Sequence, residues 1–436
     1  MKARTLKQSK VNITTLGCSK NMVDSEVLSG QLLANGVKVG HESEKLDYNI
    51  SIINTCGFID KAKEESINTI LEHVELKKQG QLDKVYVMGC LSERYRSDLE
   101  QQIPDVDAYF GTLELPAILK RFEANYKTEL VGERMLSTPS HYAYLKISEG
   151  CNRTCSFCAI PLMRGKHVSK SIEDVVTEAK LLAAKGVKEI MLIAQELTYY
   201  GLDIYKERAL SKLLDALVMV EGIEWIRLHY AYPSKFPLDI IETMAKHSKV
   251  CNYLDMPLQH ASDAMLDSMR RQITRADMIT LIKDIRSIIP DICLRSTFIA
   301  GYPGETKKDV QVLKDFLEEV RFDRVGIFTY SHEENTSAYD LKDNVSAKEK
   351  EKRAREVMDV QQDISFEKNQ AKVGQTLKVI IDKKEAGRYL GRTEFDSVEV
   401  DNEVIVNSKK ALKPGDFVNV HIAKAYDYDL EGIVVQ

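Results

Sequence analysis

The sequence YAYLKISEGCNRTCSFC, residues 142–158, joins the pattern of a β-strand to three closely spaced cysteines. These cysteines, Cys151, Cys155 and Cys158, have the spacing C-x3-C-x2-C. A loop this short brings three thiol groups together, and the strand before it places them at a strand's carboxyl end. In a parallel α/β barrel the chemistry lies at that end of the strands. The stretch therefore predicts a metal centre at the mouth of a parallel barrel.

Three thiolate ligands leave one coordination position of a metal centre open. On a cubane iron–sulfur cluster, the iron without a cysteine could bind a substrate or a cofactor directly. The alternatives are a structural zinc ion with His167 as the fourth ligand, or three buried thiols without a metal. Because a closed zinc site normally uses C-x2-C pairs and four ligands, the spacing favours the cluster.

Strand and helix patterns alternate on both sides of the cysteine loop. Residues 137–367 hold six strand patterns separated by helix patterns, which predicts a complete or partial parallel (β/α) barrel. Residues 9–125 alternate in the same way and predict a flavodoxin-like, doubly wound sheet. Residues 126–141 lack a clear period and are interpreted as a linker. In residues 370–436 short β-rich runs, among them SVEVDNEVIV (397–406), alternate with turns, which predicts a small antiparallel barrel.

A second set of cysteines, Cys18, Cys56 and Cys90, is spread over the first 90 residues. Each follows the end of a predicted strand and has a glycine beside it, in TTLGC, INTCG and VMGC. The carboxyl ends of a doubly wound parallel sheet lie on one edge, where ligands bind. The three thiols are therefore expected to meet in space, although three unrelated buried cysteines would give the same pattern.

Composition excludes several classes of protein. The chain has 436 residues, of which 44% are hydrophobic, and a net charge of −5, so it is neither disordered nor strongly basic. No hydrophobic run is long enough to span a membrane, and the basic N-terminus, MKARTLKQSK, leads into no signal core. Eight cysteines are too few for a disulfide scaffold. These features predict a cytoplasmic protein with no membrane partner, in which Cys251 and Cys293 are structural.

The cysteine loop resembles the signature of the radical S-adenosylmethionine (SAM) enzymes, and the whole chain resembles the methylthiotransferases within that superfamily. The stretches that carry the resemblance are LGCSKNMVDSE (16–26), INTCGFIDKAKEES (53–66), MGCLSERY (88–95), SEGCNRTCSFCAIPLMRGKHVS (148–169), PLQHASDAMLDSMRR (257–271), TFIAGYPGET (297–306) and a TRAM-type (OB-like) C-terminal barrel. The sequence departs from the family at Asn335, where the family usually has glycine.

The resemblance implies two 4Fe–4S clusters and SAM as cofactors. One cluster is implied on Cys151, Cys155 and Cys158, where an electron cleaves SAM to methionine and a 5′-deoxyadenosyl radical. The other is implied on Cys18, Cys56 and Cys90, where it handles the sulfur to be inserted. Both open irons must then face a cavity shared by the two domains.

Four further residues are candidate contacts for SAM: Phe157, Gln195, Gly301 and Glu305. Phe157 immediately precedes the last cysteine of the loop, and Gln195 follows a strand at the barrel mouth. Gly301 and Glu305 belong to GYPGET, between a strand and a helix. A capping or turn role for Gln195, and a βα turn with an acidic helix start for GYPGET, are the alternatives.

Methylthiotransferases act either on an adenosine of transfer RNA or on the β-carbon of an aspartate in the twelfth small-subunit ribosomal protein. Residues 373–436 contain seven Lys and two Arg against six Asp and five Glu, a net charge of −2, which suits a basic protein better than a polyanion. GCSKNMVDSE, KISEGC and the YDYDLEG ending also resemble the ribosomal-protein branch.

The ribosomal protein is therefore the predicted substrate, and no direct nucleic-acid substrate is expected. A sulfur donor and a reductant such as flavodoxin or ferredoxin are the other predicted partners. Transfer RNA methylthiolation is the alternative function, and a non-catalytic iron–sulfur redox or binding module on the ribosome is a more remote one.

Overall fold

The computed structural model describes residues 9–43, 47–127 and 132–435. Most of the basic N-terminus (1–8) and residues 128–131 of the predicted linker lie outside the described residues. The described strands form a five-stranded sheet, a six-stranded sheet, a closed five-stranded barrel and a two-stranded ribbon. In this part of the chain, no helix combines the length and the apolar character needed to cross a membrane.

The N-terminal domain is a parallel five-stranded sheet with helices on both faces. Its strands are β1 (Lys10–Thr15), β2 (Lys38–His41), β3 (Ile50–Thr55), β4 (Lys84–Gly89) and β5 (Ala108–Tyr109), and its helices are α1 (Ser19–Ala34), α2 (Asp60–Lys78), α3 (Cys90–Gln102) and α4 (Leu115–Lys120). The strand order is β2-β1-β3-β4-β5, which is the flavodoxin-like order and confirms the prediction. All six residues of β3 are buried because helices cover both faces of the central strand.

The central domain is a partial parallel barrel. Its strands and helices are β6 (Tyr142–Lys146), β7 (Ser148–Glu149), α5 (Ile160–Arg164), β8 (Val168–Ser169), α6 (Ile172–Ala184), β9 (Glu189–Ile193), α7 (Leu210–Leu217), β10 (Trp225–Leu228), α8 (Asp239–Lys246), β11 (Val250–Asp255), α9 (Asp263–Ser268), α10 (Arg275–Ile288), β12 (Cys293–Ala300), α11 (Lys307–Val320) and β13 (Arg324–Thr329). Short 3-10 helices cover Leu197–Tyr199 and Ser337–Asp340. The six-stranded sheet ends at β6 on one side and β13 on the other, so the described barrel is open between these two strands.

Local sequence signals fix several of these elements. Helices α10 and α11 each begin with a capping box, in which Thr274 and Thr306 exchange hydrogen bonds with Asp277 and Asp309. Asn335 has a φ of +61°, which is a left-handed conformation that asparagine tolerates better than most residues. The replacement of the family's usual glycine by asparagine is therefore compatible with the turn.

The C-terminal domain is a closed barrel reached through a long helix. The elements are α12 (Ala347–Gln370), β14 (Thr376–Glu385), β15 (Arg388–Thr393), β16 (Val404–Asn407), β17 (Phe417–Ala425) and β18 (Leu430–Val435), and the order around the barrel is β14-β15-β16-β18-β17. The sequence predicted an antiparallel barrel. This prediction is wrong for one pair of strands, because β16 and β18 are parallel. The reason is that β17 does not pair with β16, the strand before it in the chain. It pairs with β14 and β18 instead, and β18 therefore lies beside β16.

Buried ion pairs attach this barrel to the amino end of the central sheet. Glu189, the first residue of β9, accepts hydrogen bonds from Arg392 at 2.7 Å and from Arg227 at 2.9 Å. Burial by itself raises the pKa of Glu189, but the two guanidinium groups outweigh burial and lower it. The carboxylate therefore stays charged between two domains, where removal of one partner leaves a buried charge uncompensated.

We expect Glu189→Gln to lower the free energy of unfolding by about 3–5 kcal/mol, because both arginines lose a buried anionic partner. Urea unfolding of the two proteins measures the difference. The matched control is Glu224→Gln, which removes an exposed carboxylate 3.9 Å from Lys378 and should change stability by less than about 0.5 kcal/mol. Equal losses in the two variants would contradict a specific role for the buried pairs.

Candidate active site

The first three cysteines lie at the carboxyl edge of the N-terminal sheet. Cys18 immediately precedes α1, Cys56 follows β3, and Cys90 begins α3 directly after β4. Gly17 has a φ of +90°, and a Cβ atom on it would lie only 2.9 Å from Cys56 Sγ. The loop that carries Cys18 therefore lies directly against Cys56, an approach that requires glycine.

The environment of these thiols fits a metal cofactor. Burial raises the pKa of Cys56, and it raises that of Cys90 to about 12. Negative charge on Cys18 raises both pKa values further, so the three groups are close enough to interact electrostatically. Thiolates are the form that binds metal, and a bound metal supplies the positive charge that stabilises them in such a place.

The second three cysteines lie in the loop between β7 and α5. Burial raises the pKa of Cys151 to about 11 and that of Cys158 to about 12, and charge on Cys155 raises both further. Cys155 Sγ accepts a hydrogen bond from Arg271 at 3.2 Å and lies 3.8 Å from the hydroxyl of Tyr232. Hydrogen bonds to sulfur are one of the levers that set the reduction potential of an iron–sulfur cluster.

His167 was the alternative fourth ligand for a zinc ion. Its Nε2 shares a hydrogen bond of 3.1 Å with Ser169 Oγ, and its ring lies edge-on to Tyr199. In the residues the structure describes, no three His, Cys, Asp or Glu side chains converge closely enough to hold a single ion such as zinc. A 4Fe–4S cluster does not need that convergence, because each cysteine binds a different iron and the thiols lie further apart. The contacts of His167 are thus those of a packed side chain beside the cysteine loop.

The segment that follows the second set of cysteines packs on the first set, at the interface between the N-terminal and central domains. Cys90 packs against Ala159 and Met163, in the segment that begins at Cys158. At the end of this segment, Arg164 donates to Asn21, whose Oδ1 also lies 3.8 Å from Cys90 Sγ. One short stretch of chain therefore carries a cysteine of the second set and packs on a cysteine of the first.

Buried charges hold this interface in place. Asp24 on α1 pairs with Lys146 and with Arg164, the latter at 2.6 Å. Burial alone raises the pKa of Asp24, but its two cationic partners outweigh burial and lower it. Arg134, in the predicted linker, is buried between Glu26 of α1, at 3.2 Å, and Glu178 of α6. The described end of the linker is thus packed between the domains.

Two of the predicted SAM contacts lie close to the cysteine loop. Gln195 follows β9 and donates to Glu149 at 2.6 Å, while its Oε1 is buried without a hydrogen-bond partner among the described residues. A buried acceptor without a donor is costly, and a donor on a bound molecule would satisfy it. Phe157, within the loop itself, packs against a hydrophobic cluster that includes Met265 and Tyr302.

Gly301 and Glu305 lie in a tight turn between β12 and α11. Such a turn was the alternative to a contact with SAM. Gly301 N donates to Glu305 Oε2 at 2.9 Å, and Glu305 Oε1 accepts from Arg353 at 2.9 Å. Oε2 also lies 3.3 Å from His260 Nε2. The structure therefore places Glu305 in a buried network with Arg353 and His260. A contact of Glu305 with SAM stays a prediction.

Sequence reasoning missed several residues around the loop. The guanidinium of Arg153 lies 3.9 Å from the ring centroid of Tyr199 and 3.8 Å from that of Tyr232, and it pairs with Glu196 at 3.1 Å. Such stacking fixes the loop between its cysteines. These partners come from two different strand ends of the barrel, so no local pattern announces them.

A loop of the C-terminal barrel also enters the central domain. Ser397 shares a hydrogen bond of 3.0 Å with His229, and Asp401 accepts from Tyr253 at 2.7 Å and from Arg295 at 3.2 Å. The predicted strand 397–406 is therefore wrong over residues 397–403, because their polar groups bind the central barrel instead of a neighbouring strand. The strand β16 begins only at residue 404.

Three protein-family profiles match successive parts of the chain, and its fold is similar to that of a solved structure. The profile of the Radical SAM superfamily matches residues 145–317, that of Uncharacterized protein family UPF0004 matches residues 10–111, and that of the TRAM domain matches residues 373–435. The solved structure of the radical SAM methyltransferase TsrM from Kitasatospora setae, with tryptophan and a SAM analogue, has a TM-score of 0.55 at 14% identity, and the match covers 87% of this chain and 79% of that one.

Much closer relatives are found among curated proteins. Ribosomal protein uS12 methylthiotransferase RimO of Flavobacterium psychrophilum is 59% identical over 433 residues, which cover 99% of both chains. The protein of the same name from Phocaeicola vulgatus is 51% identical over 427 residues, covering 98% of this chain and 99% of that one.

The partial barrel with its three-cysteine loop thus defines a radical SAM enzyme, with iron–sulfur chemistry and SAM as its cofactors. Within that class, the chain belongs to the RimO family of methylthiotransferases. The enzyme class predicted from the cysteine motifs is confirmed.

Proposed function

We propose that this enzyme attaches a methylthio group to the β-carbon of an aspartate in ribosomal protein uS12, using two 4Fe–4S clusters and SAM. The observation that carries the proposal is the packing of Cys90, from the first set, on Ala159 and Met163, which follow Cys158 of the second set, in a chain 59% identical to a uS12 methylthiotransferase along its length. Sulfur insertion needs both centres within reach of one substrate carbon, and the contact between Cys90 and the segment after Cys158 supports that arrangement.

Each set of cysteines has its own role in the proposal. Cys151, Cys155 and Cys158 hold the cluster that binds SAM. When bound, the cluster and SAM supply the radical chemistry that removes a hydrogen from the substrate carbon. Cys18, Cys56 and Cys90 hold a second cluster at which the sulfur is kept. Arg271 and Tyr232 orient Cys155, and Gln195 offers its free acceptor to SAM.

The overall exchange replaces a C–H bond of the aspartate by a C–S–CH3 group. The methyl group comes from one SAM molecule, which leaves as S-adenosylhomocysteine. A second SAM is cleaved to methionine and a 5′-deoxyadenosyl group, which carries the hydrogen away as 5′-deoxyadenosine. A sulfur donor supplies the sulfur, and a reductant such as flavodoxin or ferredoxin supplies the electrons. A ribosomal substrate implies action in the cytoplasm.

The charge of the C-terminal barrel supports a protein substrate. Its net charge of −2 suits a basic ribosomal protein, whereas RNA binding depends on neutralising phosphates with cationic groups. Its loop at residues 397–401 also binds His229 and Tyr253 of the central barrel, so the two domains are joined by direct hydrogen bonds.

The test offers uS12 and unmodified transfer RNA together to the anaerobically reconstituted enzyme, with reductant, SAM and sulfide. We expect mass spectrometry to find a methylthio group on an aspartate-containing peptide of uS12 and none on adenosine. A methylthio group on adenosine alone would support the methylthiolation reaction and contradict uS12 as its substrate. Bound clusters without cleavage of SAM would favour the non-catalytic alternative.

A further inference from the structure

Lys20 is a buried cation at the interface of the two domains that carry the cysteines. It lies in the first turn of α1, two residues after Cys18, and it is 7% exposed. Its ammonium lies 3.0 Å from the ring centroid of Tyr230. Over residues 9–43, 47–127 and 132–435, the Lys20 side chain makes no hydrogen bond and no ion pair. A lysine this buried is rare unless an anion accompanies it.

The position of Tyr230 connects Lys20 with the second set of cysteines. Tyr230 follows β10 at the carboxyl end of the central barrel and has a φ of +65°. Two residues further along the same loop, the hydroxyl of Tyr232 lies 3.8 Å from Cys155 Sγ. Lys20 therefore connects the segment that carries Cys18 with the loop whose Tyr232 contacts Cys155.

The charges that act on His229, the residue before Tyr230, are positive. Burial lowers the pKa of His229 well below its ordinary value, and the charges of Arg227, Arg295 and Lys20 lower it further, so that His229 is neutral. Asp255 reaches the same loop, but it accepts from the backbone of Tyr230 at 3.2 Å and pairs with Arg295 at 3.0 Å. Among the described residues, the Lys20 ammonium thus contacts the ring of Tyr230 and has no carboxylate at ion-pair distance.

We propose that Lys20 binds the side-chain carboxylate of the aspartate that is to be modified. The inference rests on the proposed function, because it takes the substrate to be an aspartate presented between the two sets of cysteines. An ammonium without a protein counter-ion makes charge-assisted hydrogen bonds to a carboxylate that reaches it, and Tyr230 holds that ammonium in place. Lys20 then selects aspartate over the uncharged asparagine of the same shape.

The experiment measures the binding of uS12 to the reconstituted enzyme, for natural uS12 and for uS12 with asparagine at the target position. In the unaltered enzyme we expect the aspartate form to bind about ten- to a hundredfold more tightly, as for a charge-assisted hydrogen bond. In Lys20→Met, which keeps the length and packs on Tyr230 without the charge, the ratio should fall to about one. Lys20→Arg should retain a preference for aspartate.

Iron content and the visible spectrum show whether each variant holds its clusters, and Lys38→Met, at an exposed position on β2, is the control for loss of a lysine. If the unaltered enzyme modifies uS12 but binds both forms equally, or if Lys20→Met keeps the full preference for aspartate, the inference is overturned while the proposed function stands. If the unaltered enzyme does not modify uS12 at all, the proposed function itself fails.

Discussion

Replacement of Cys155 by alanine is expected to reduce the cleavage of SAM to the level measured without protein, and with it all methylthiolation. Two remaining thiols do not hold the cluster in the arrangement that leaves one iron free for SAM. The loss also removes the sulfur that Arg271 and Tyr232 contact, at 3.2 and 3.8 Å. Chromatographic measurement of 5′-deoxyadenosine after anaerobic reduction gives the rate.

The control for Cys155→Ala is Cys251→Ala. Cys251 is equally a free cysteine, but it is buried in β11 among Trp225, Tyr253 and Cys293. Its loss leaves a small cavity and should leave SAM cleavage close to that of the unaltered enzyme. Cleavage at the normal rate in Cys155→Ala would show that the loop at residues 151–158 does not hold the cluster that binds SAM.

Replacement of Cys56 by alanine is expected to separate the two halves of the reaction. The backbone at this position is held by Ser66, whose hydroxyl donates to the Cys56 carbonyl and accepts from its amide, both at 3.0 Å, and alanine keeps both bonds. The variant should therefore fold and cleave SAM, yet form no methylthiolated uS12, because the N-terminal cysteines no longer hold the sulfur.

The measurement for Cys56→Ala is the ratio of methylthiolated uS12 to 5′-deoxyadenosine, which should fall to zero while 5′-deoxyadenosine is still produced. Iron content, compared with that of Cys155→Ala, reports which cluster each variant retains. Loss of both products in a folded Cys56→Ala protein that keeps its second cluster would contradict the proposed division of roles.

Much of the site could be predicted because its signals are local. The spacing of Cys151, Cys155 and Cys158 lies within one loop, and Cys18, Cys56 and Cys90 each follow a strand pattern. Parallel strands bring their carboxyl ends to one edge, so recognition of the strands was enough to place the cysteines together. The short edge strands β2 and β5 were missed, since few residues in them carry a pattern.

The sequence by itself determined most of the strands and helices, the doubly wound class of the N-terminal domain and the cysteines that follow its strands, because strand and helix periods and glycine turns depend on neighbours within a few residues. Only the tertiary structure decided that Lys20 meets Tyr230, that Ser397 enters the central barrel to reach His229, and that Cys90 packs on Ala159 and Met163. These partners are far apart in the chain, and they meet because the domains bury charged and polar groups against one another, where each needs a partner that no local pattern can supply.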